Sequence, residues 1–220
     1  MCGRFTLFLD PADFQVELDL TDPGNLQPRY NIAPTQPVAA VLSSVQRQVE
    51  MLRWGLVPAW AKDPAIGSQM INARGETVAE KPSFRRSFER RRCLILTSGF
   101  YEWAKLPGAA RKIPHFIHLA NHKPFTFAGL WDTWRTPEGQ ELRTCTIITC
   151  PANALVAPLH ERMPVILPRA QRWAWLDSNQ KPVGLLEMLK PYPPGEMACY
   201  PVSSRVSNPA VEDADLILPV

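Results

Sequence analysis

The chain has 220 residues, of which 45% are hydrophobic and 20% charged, with a net charge of +3 at neutral pH. That length supports a substantial core, and the composition is ordinary for a globular protein. The charge is too weak to imply nucleic acid by itself, no apolar run approaches the roughly 20 residues that span a bilayer, and no secretory signal opens the chain.

Twenty-three prolines break the sequence into short elements. Asp10-Pro11 followed by Asp13, with apolar Phe14 and Leu18, predicts a capped helix start. Residues 37–43 and 47–54 read as a hairpin. Further strands are predicted at 93–97, 100–104, 115–119, 125–130 and 144–149, all rich in β-branched and aromatic residues. Helical patterns fit 82–91, 151–157, 169–177 and 182–190. Strands separated by irregular loops, without βαβ alternation, define the α+β class. We expect a single domain over 1–220, a curled, mostly antiparallel β-sheet or barrel-like core flanked by short helices.

Five cysteines, at 2, 93, 145, 150 and 199, are an odd number without C-x-x-C spacing, which fits a reducing compartment better than a disulfide framework. Cys93, Cys145, Cys150 and Cys199 read as buried small hydrophobes. The charge is uneven. Arg85, Arg86, Arg90, Arg91 and Arg92 face a single Glu89, whereas Glu196, Glu212, Asp213 and Asp215 near the end face only Arg205. A local anionic partner is compatible with that asymmetry, as is a solvated arginine-rich helix face.

Cys2 is the most informative residue. A cysteine after the initiator methionine is small enough for Met1 to be trimmed, leaving an α-amine and a thiol on adjacent carbons. Their ordinary pKa values of about 8 and about 8.5 leave both partly nucleophilic at neutral pH. Such a pair captures aldehydes: the amine forms a Schiff base, then the thiol closes a five-membered ring. The second attack is intramolecular, with effective molarities on the order of 10⁵ M or more. Alternatively, Cys2 belongs simply to a buried N-terminal strand.

Four internal words place polar residues among apolar neighbours: Arg29-Tyr30-Asn31-Ile32-Ala33-Pro34, Ile71-Asn72-Ala73-Arg74-Gly75-Glu76-Thr77, Gly99-Phe100-Tyr101-Glu102-Trp103 and His160-Glu161-Arg162-Met163-Pro164. In this order after Met-Cys-Gly-Arg, and with Tyr200-Pro201-Val202-Ser203 and Val206-Ser207-Asn208 following, they resemble the SRAP family (SOS-response-associated peptidase, or abasic-site processing proteins). The resemblance covers essentially the whole chain. It implies a DNA-damage response protein that binds single-stranded DNA at abasic sites. Cys2 would join covalently to the ring-opened sugar aldehyde as a thiazolidine, shielding the lesion.

The resemblance also implies roles. Cys2 supplies amine and thiol, Glu102 acts as general acid/base, Asn72 orients the amine or the opened sugar, and His160 assists ring opening and proton transfer. Arg4, Arg74 and Arg162 become candidate phosphate ligands, since the guanidinium fork suits phosphate; for them, internal salt bridges with Glu76 or Glu161 are the alternative. Arg85 and Arg86 extend the phosphate track, and Trp60, in a proline-flanked loop, stacks on bases, whereas Trp54 reads as structural. Where some family members carry a second aromatic after Trp60, this chain has Ala61, and the 61–70 loop differs in length, so a strand-junction preference is not implied.

No cofactor and no metal are expected. His115, His118 and His122 suggest ligands only superficially, because 115 and 118 face opposite ways on a strand, and H-E-x-x-H is absent. Single-stranded DNA containing abasic sites is the expected partner of a monomeric cytoplasmic protein, nucleoid-associated when bound. Two other classes stay open: an N-terminal-cysteine thiol hydrolase acting on peptides or amides, its peptidase action either general or confined to Met1, and a non-catalytic single-strand binder.

Overall fold

Five strands close on themselves in the computed structural model, which describes residues 2–8, 10–105 and 112–220. In chain order the strands are β1 (Phe5–Leu7), β2 (Arg29–Ile32), β3 (Pro37–Val41), β4 (Val49–Trp54), β5 (Asn72–Arg74), β6 (Arg92–Thr97), β7 (Gly99–Ala104), β8 (Ile113–Leu119), β9 (Phe125–Arg135), β10 (Glu141–Pro151), β11 (Arg162–Pro164) and β12 (Met197–Pro201). The barrel runs β10-β4-β3-β6-β9 and returns to β10. Among these described strands, only β10 with β4 and with β5 pair in parallel. A second sheet, ordered β12-β8-β7-β1-β2, flanks the barrel and is antiparallel throughout. This is the expected α+β class with a barrel core.

Four rings packed edge to face lock sheet to barrel. Phe5 of β1 packs on Trp54 at 5.2 Å and on Phe127 at 5.8 Å, while Phe100 of β7 meets Phe127 at 5.9 Å. Each pair contributes about 0.5–1.5 kcal/mol beyond simple burial. Trp54 is fully buried, and its indole N–H donates to the Ile71 carbonyl at 2.8 Å, so it is structural as expected. That bond also draws the chain just before β5 against the barrel.

The helices are α1 (Pro11–Leu18), α2 (Arg85–Arg90), α3 (Arg169–Leu176) and α4 (Pro182–Glu187). Asp10 caps α1 by accepting from the Ala12 N–H at 2.7 Å. The helix expected at 151–157 is instead the end of β10 followed by a turn over 154–159. Asn153 opens this turn as a helix cap would, its side-chain oxygen accepting from the N–H groups of Leu155 and Val156 at 3.1 and 3.0 Å. Pro158, however, has no N–H to continue the ladder and disfavours helical backbone at Ala157. The strands expected at 125–130 and 144–149 are longer, forming a hairpin registered from Gly129–Ile147 to Arg135–Glu141. Cys93, Cys145 and Cys150 are buried, but Cys199 is only half-buried, on the edge strand β12.

Candidate active site

Strand pairing brings the site together. β1 runs antiparallel to β7 with Phe5 opposite Phe100, and the Tyr101 N–H donates to the Arg4 carbonyl at 3.0 Å. Carrying that register onward places Cys2-Gly3 beside Glu102-Trp103. From the other side, β5 lies along β10, and Asn72 Nδ2 donates to the Cys2 carbonyl at 2.9 Å. The start of the chain is thus held between the flanking sheet and the barrel. Asn72 Oδ1 is also buried, with no hydrogen-bond partner among the described residues.

Cys2 is buried, with Sγ 4.0 Å from the Arg4 carbonyl. Burial pushes its thiol pKa well up, the Glu102 charge pushes it further, and the amino-terminal charge pulls it partly back. Glu102 is buried as well. Desolvation raises its pKa above the ordinary carboxylate range, opposed by the amino-terminal charge and by Lys112. His160 follows the 154–159 turn, and its Nδ1 accepts from the Arg162 N–H at 2.9 Å, so the neutral ring carries its proton on Nε2. Its pKa is lowered, first by burial and then by the amino-terminal charge. Cys2 and Glu102 act on each other directly, the Glu102 charge being the second cause of the raised thiol pKa.

The arginines divide. The fork of Arg162 grips Glu76 at 2.5 and 2.8 Å and also donates to the Thr149 carbonyl at 2.7 Å. Arg4 donates to Asn31 Oδ1 at 2.7 Å and to the Val206 carbonyl at 2.8 Å, while Asn31 donates onward to the carbonyls of Asn208 and Val211. These two arginines therefore serve internal frameworks. The Arg4–Asn31 network also explains why the Arg29–Pro34 and Val206–Asn208 words belong together. Arg74, the last residue of β5, is exposed, and its charge reaches Glu76.

Trp60 is 60% exposed and, with the exposed Arg85 and Arg86, lines an open cleft of about 270 Å³. Ala61 turns inward against Val57 and Trp134, and its carbonyl accepts the Trp134 indole N–H at 2.7 Å. Gly55 and Gly67 close this loop: a Cβ on either would lie 2.6 Å from the other's carbonyl oxygen. Sequence reading missed Lys112, whose charge acts on both Glu102 and His160. It also missed Asp132, whose Oδ2 accepts from the Ala59 N–H at 3.0 Å beside Trp60.

His118 and His122 stack at 4.7 Å, and His118 Nδ1 donates to the Leu119 carbonyl. Among the described residues no group of three His, Cys, Asp or Glu side chains is placed to hold a metal, and no helix is long and apolar enough to cross a membrane.

Fold and site together define a protein that holds Cys2, within a barrel-and-sheet scaffold, between the Asn72 amide and a buried carboxylate. The chain belongs to the SOS response associated peptidase (SRAP) family, whose model matches residues 1–209. It is 45% identical to the abasic site processing protein YoqW of Bacillus subtilis, over 99% of both chains. It is 31% identical to the rat abasic site processing protein HMCES, covering 85% of this chain and 64% of that one. A crystal structure of a Bacteroides thetaiotaomicron protein superposes over the full length of both chains, with a TM-score of 0.88 at 25% identity.

Proposed function

We propose that this protein processes abasic sites by capturing them covalently in single-stranded DNA through Cys2. The observation that carries the reading is the placement of Cys2 against both Asn72 and the buried Glu102. Removal of Met1 gives Cys2 its own amine, and the unpartnered Asn72 Oδ1 is suited to accept from it. The amine attacks the aldehyde carbon of the opened sugar to give a carbinolamine. A protonated Glu102 donates to the departing hydroxyl, water leaves, and an iminium forms. The Cys2 thiol then adds to the same carbon and its proton passes to Glu102. Ring closure leaves a thiazolidine, with one water released overall. A carboxyl with a raised pKa suits both directions of this transfer.

Neutral His160, with its proton on Nε2, is a donor for the sugar hydroxyl during ring opening. Trp60 with Arg85 and Arg86 offers a stacking face next to cationic side chains, the combination single-strand binders use. Arg74, exposed next to Asn72, is the nearer phosphate ligand.

Wild type and Cys2→Ala are compared on single-stranded oligonucleotides with and without an abasic site, by denaturing gel. Capture predicts a band that survives denaturation only for wild type on abasic DNA, with binding to intact DNA retained by the variant. A hydrolase predicts no such band. A simple binder predicts equal behaviour of both proteins.

A further inference from the structure

Beyond Trp60 lies a second cleft, of about 480 Å³, lined by Ala59, Arg91, Thr133, Arg135, Glu141 and Arg143. Ala59 lines this cleft and the Trp60 cleft alike. We propose that it is a second phosphate-backbone site, which holds the DNA strand after it has passed Trp60. The proposal rests on the DNA reading above and extends its footprint.

Three observations support it. The clefts are joined through Asp132, whose Oδ2 holds the Ala59 N–H while its Oδ1 pairs with Arg91. The arginines of the two clefts also feel each other: Arg91 is lowered first by burial and then by Arg86. A polyanion touching both relieves that repulsion, whereas a small anion in one cleft relieves only part of it. Finally, the guanidinium groups are prepositioned but weakly committed. Arg135 pairs with Glu141 at 2.6 Å and Arg143 with Glu50, and these side chains are 38–72% exposed. Exposed pairs of that kind exchange readily for a phosphodiester, which accepts the same fork.

The test measures binding to unmodified single strands by fluorescence anisotropy across a salt series. A strand of about five nucleotides covers only the lesion pocket, and one of about twenty extends past it on both sides. Arg135→Gln/Arg143→Gln should weaken the long strand several-fold and reduce its log–log salt slope by about 0.7 for each phosphate no longer neutralised. The short strand should bind as to wild type. Glu50→Gln/Glu141→Gln should tighten the long strand, an effect opposite in sign that general loss of structure would not give. An unchanged salt slope on the long strand, or equal weakening on both lengths, overturns the proposal. Both variants should still capture abasic DNA at saturating concentration with wild-type yield. If wild type itself fails to capture, the fault lies with the functional reading and not with this cleft.

Discussion

Asn72 donates its side-chain N–H to the Cys2 carbonyl at 2.9 Å, and this bond ties the start of the chain to the barrel. β5, which carries Asn72, is only three residues long and is held by parallel pairing along β10. The long β9–β10 hairpin therefore sets the position of the nucleophile. Asn72→Ala should slow capture by about 10–100-fold, the usual effect of misplacing a reacting group by an ångström. The stability cost should be only about 1 kcal/mol, since one hydrogen bond is removed. Single-turnover crosslinking and urea denaturation check the two halves.

Glu102 is held against its own charge. Its folded pKa lies above the unfolded value, so it binds its proton more readily when folded. The sign follows: stability falls as pH rises from the ordinary carboxylate range through the raised folded pKa. Glu102→Gln should therefore abolish that fall and give a melting temperature equal to or above wild type at neutral pH. The same substitution should slow capture by about 10²-fold or more, the typical weight of a general acid/base. Melting curves against pH, beside capture rates, separate the effects.

Arg162 and Glu76 make the opposite linkage. The Arg162 hydrogen bonds hold Glu76 below its ordinary pKa, so this stabilisation is present above the normal glutamate range and is lost as pH falls through the folded value. Arg162 is almost fully buried while Glu76 is half-exposed, so the pair sits between surface and interior behaviour. Arg162→Met should cost about 2 kcal/mol, below the 3–5 kcal/mol of a fully buried broken pair. The bond to His160 Nδ1 comes from the backbone N–H of residue 162 and should survive the substitution. Denaturation at pH 7 and under acid conditions should show the wild-type advantage shrinking in acid.

Gly67→Ala should loosen the Trp60 loop. The added Cβ would sit 2.6 Å from the Gly55 carbonyl oxygen and 3.0 Å from the Val57 side chain. Overpacking of this kind costs about 1–3 kcal/mol. Binding to intact single strands should weaken with it. Cys2 is in another part of the fold, so its reaction with a small free aldehyde should continue at the wild-type rate.

How much of this could be read from the sequence depended on element length. The hairpin 37–43/47–54 and the strands near 93, 100, 115, 125 and 144 carry enough β-branched and aromatic residues to be seen without a structure. β1, β5 and β11 have three residues each, too few for any periodicity, and exist because β7 and β10 offer them edges. The 151–157 segment misled because its apolar spacing is helical, whereas Pro158 stops the turn that Asn153 opens. Within the site, Cys2 stood out by its chemistry, but a buried strand residue stayed the alternative until the family words were matched. Asn72, Glu102 and His160 were legible only as words shared with a family, since composition does not say that residues 70 to 158 positions apart meet. For Arg4 and Arg162 the motif supplied the residue type, but only the folded chain reveals their bonds to Asn31 and Glu76.

Intact-mass measurement of the adduct tests the central claim most directly. Purified protein beginning at Cys2, mixed with an abasic single strand without any reductant, should gain the oligonucleotide's mass less one water and keep it through heating. An adduct that appears only after borohydride reduction, or that forms equally with Cys2→Ala, would contradict thiazolidine capture.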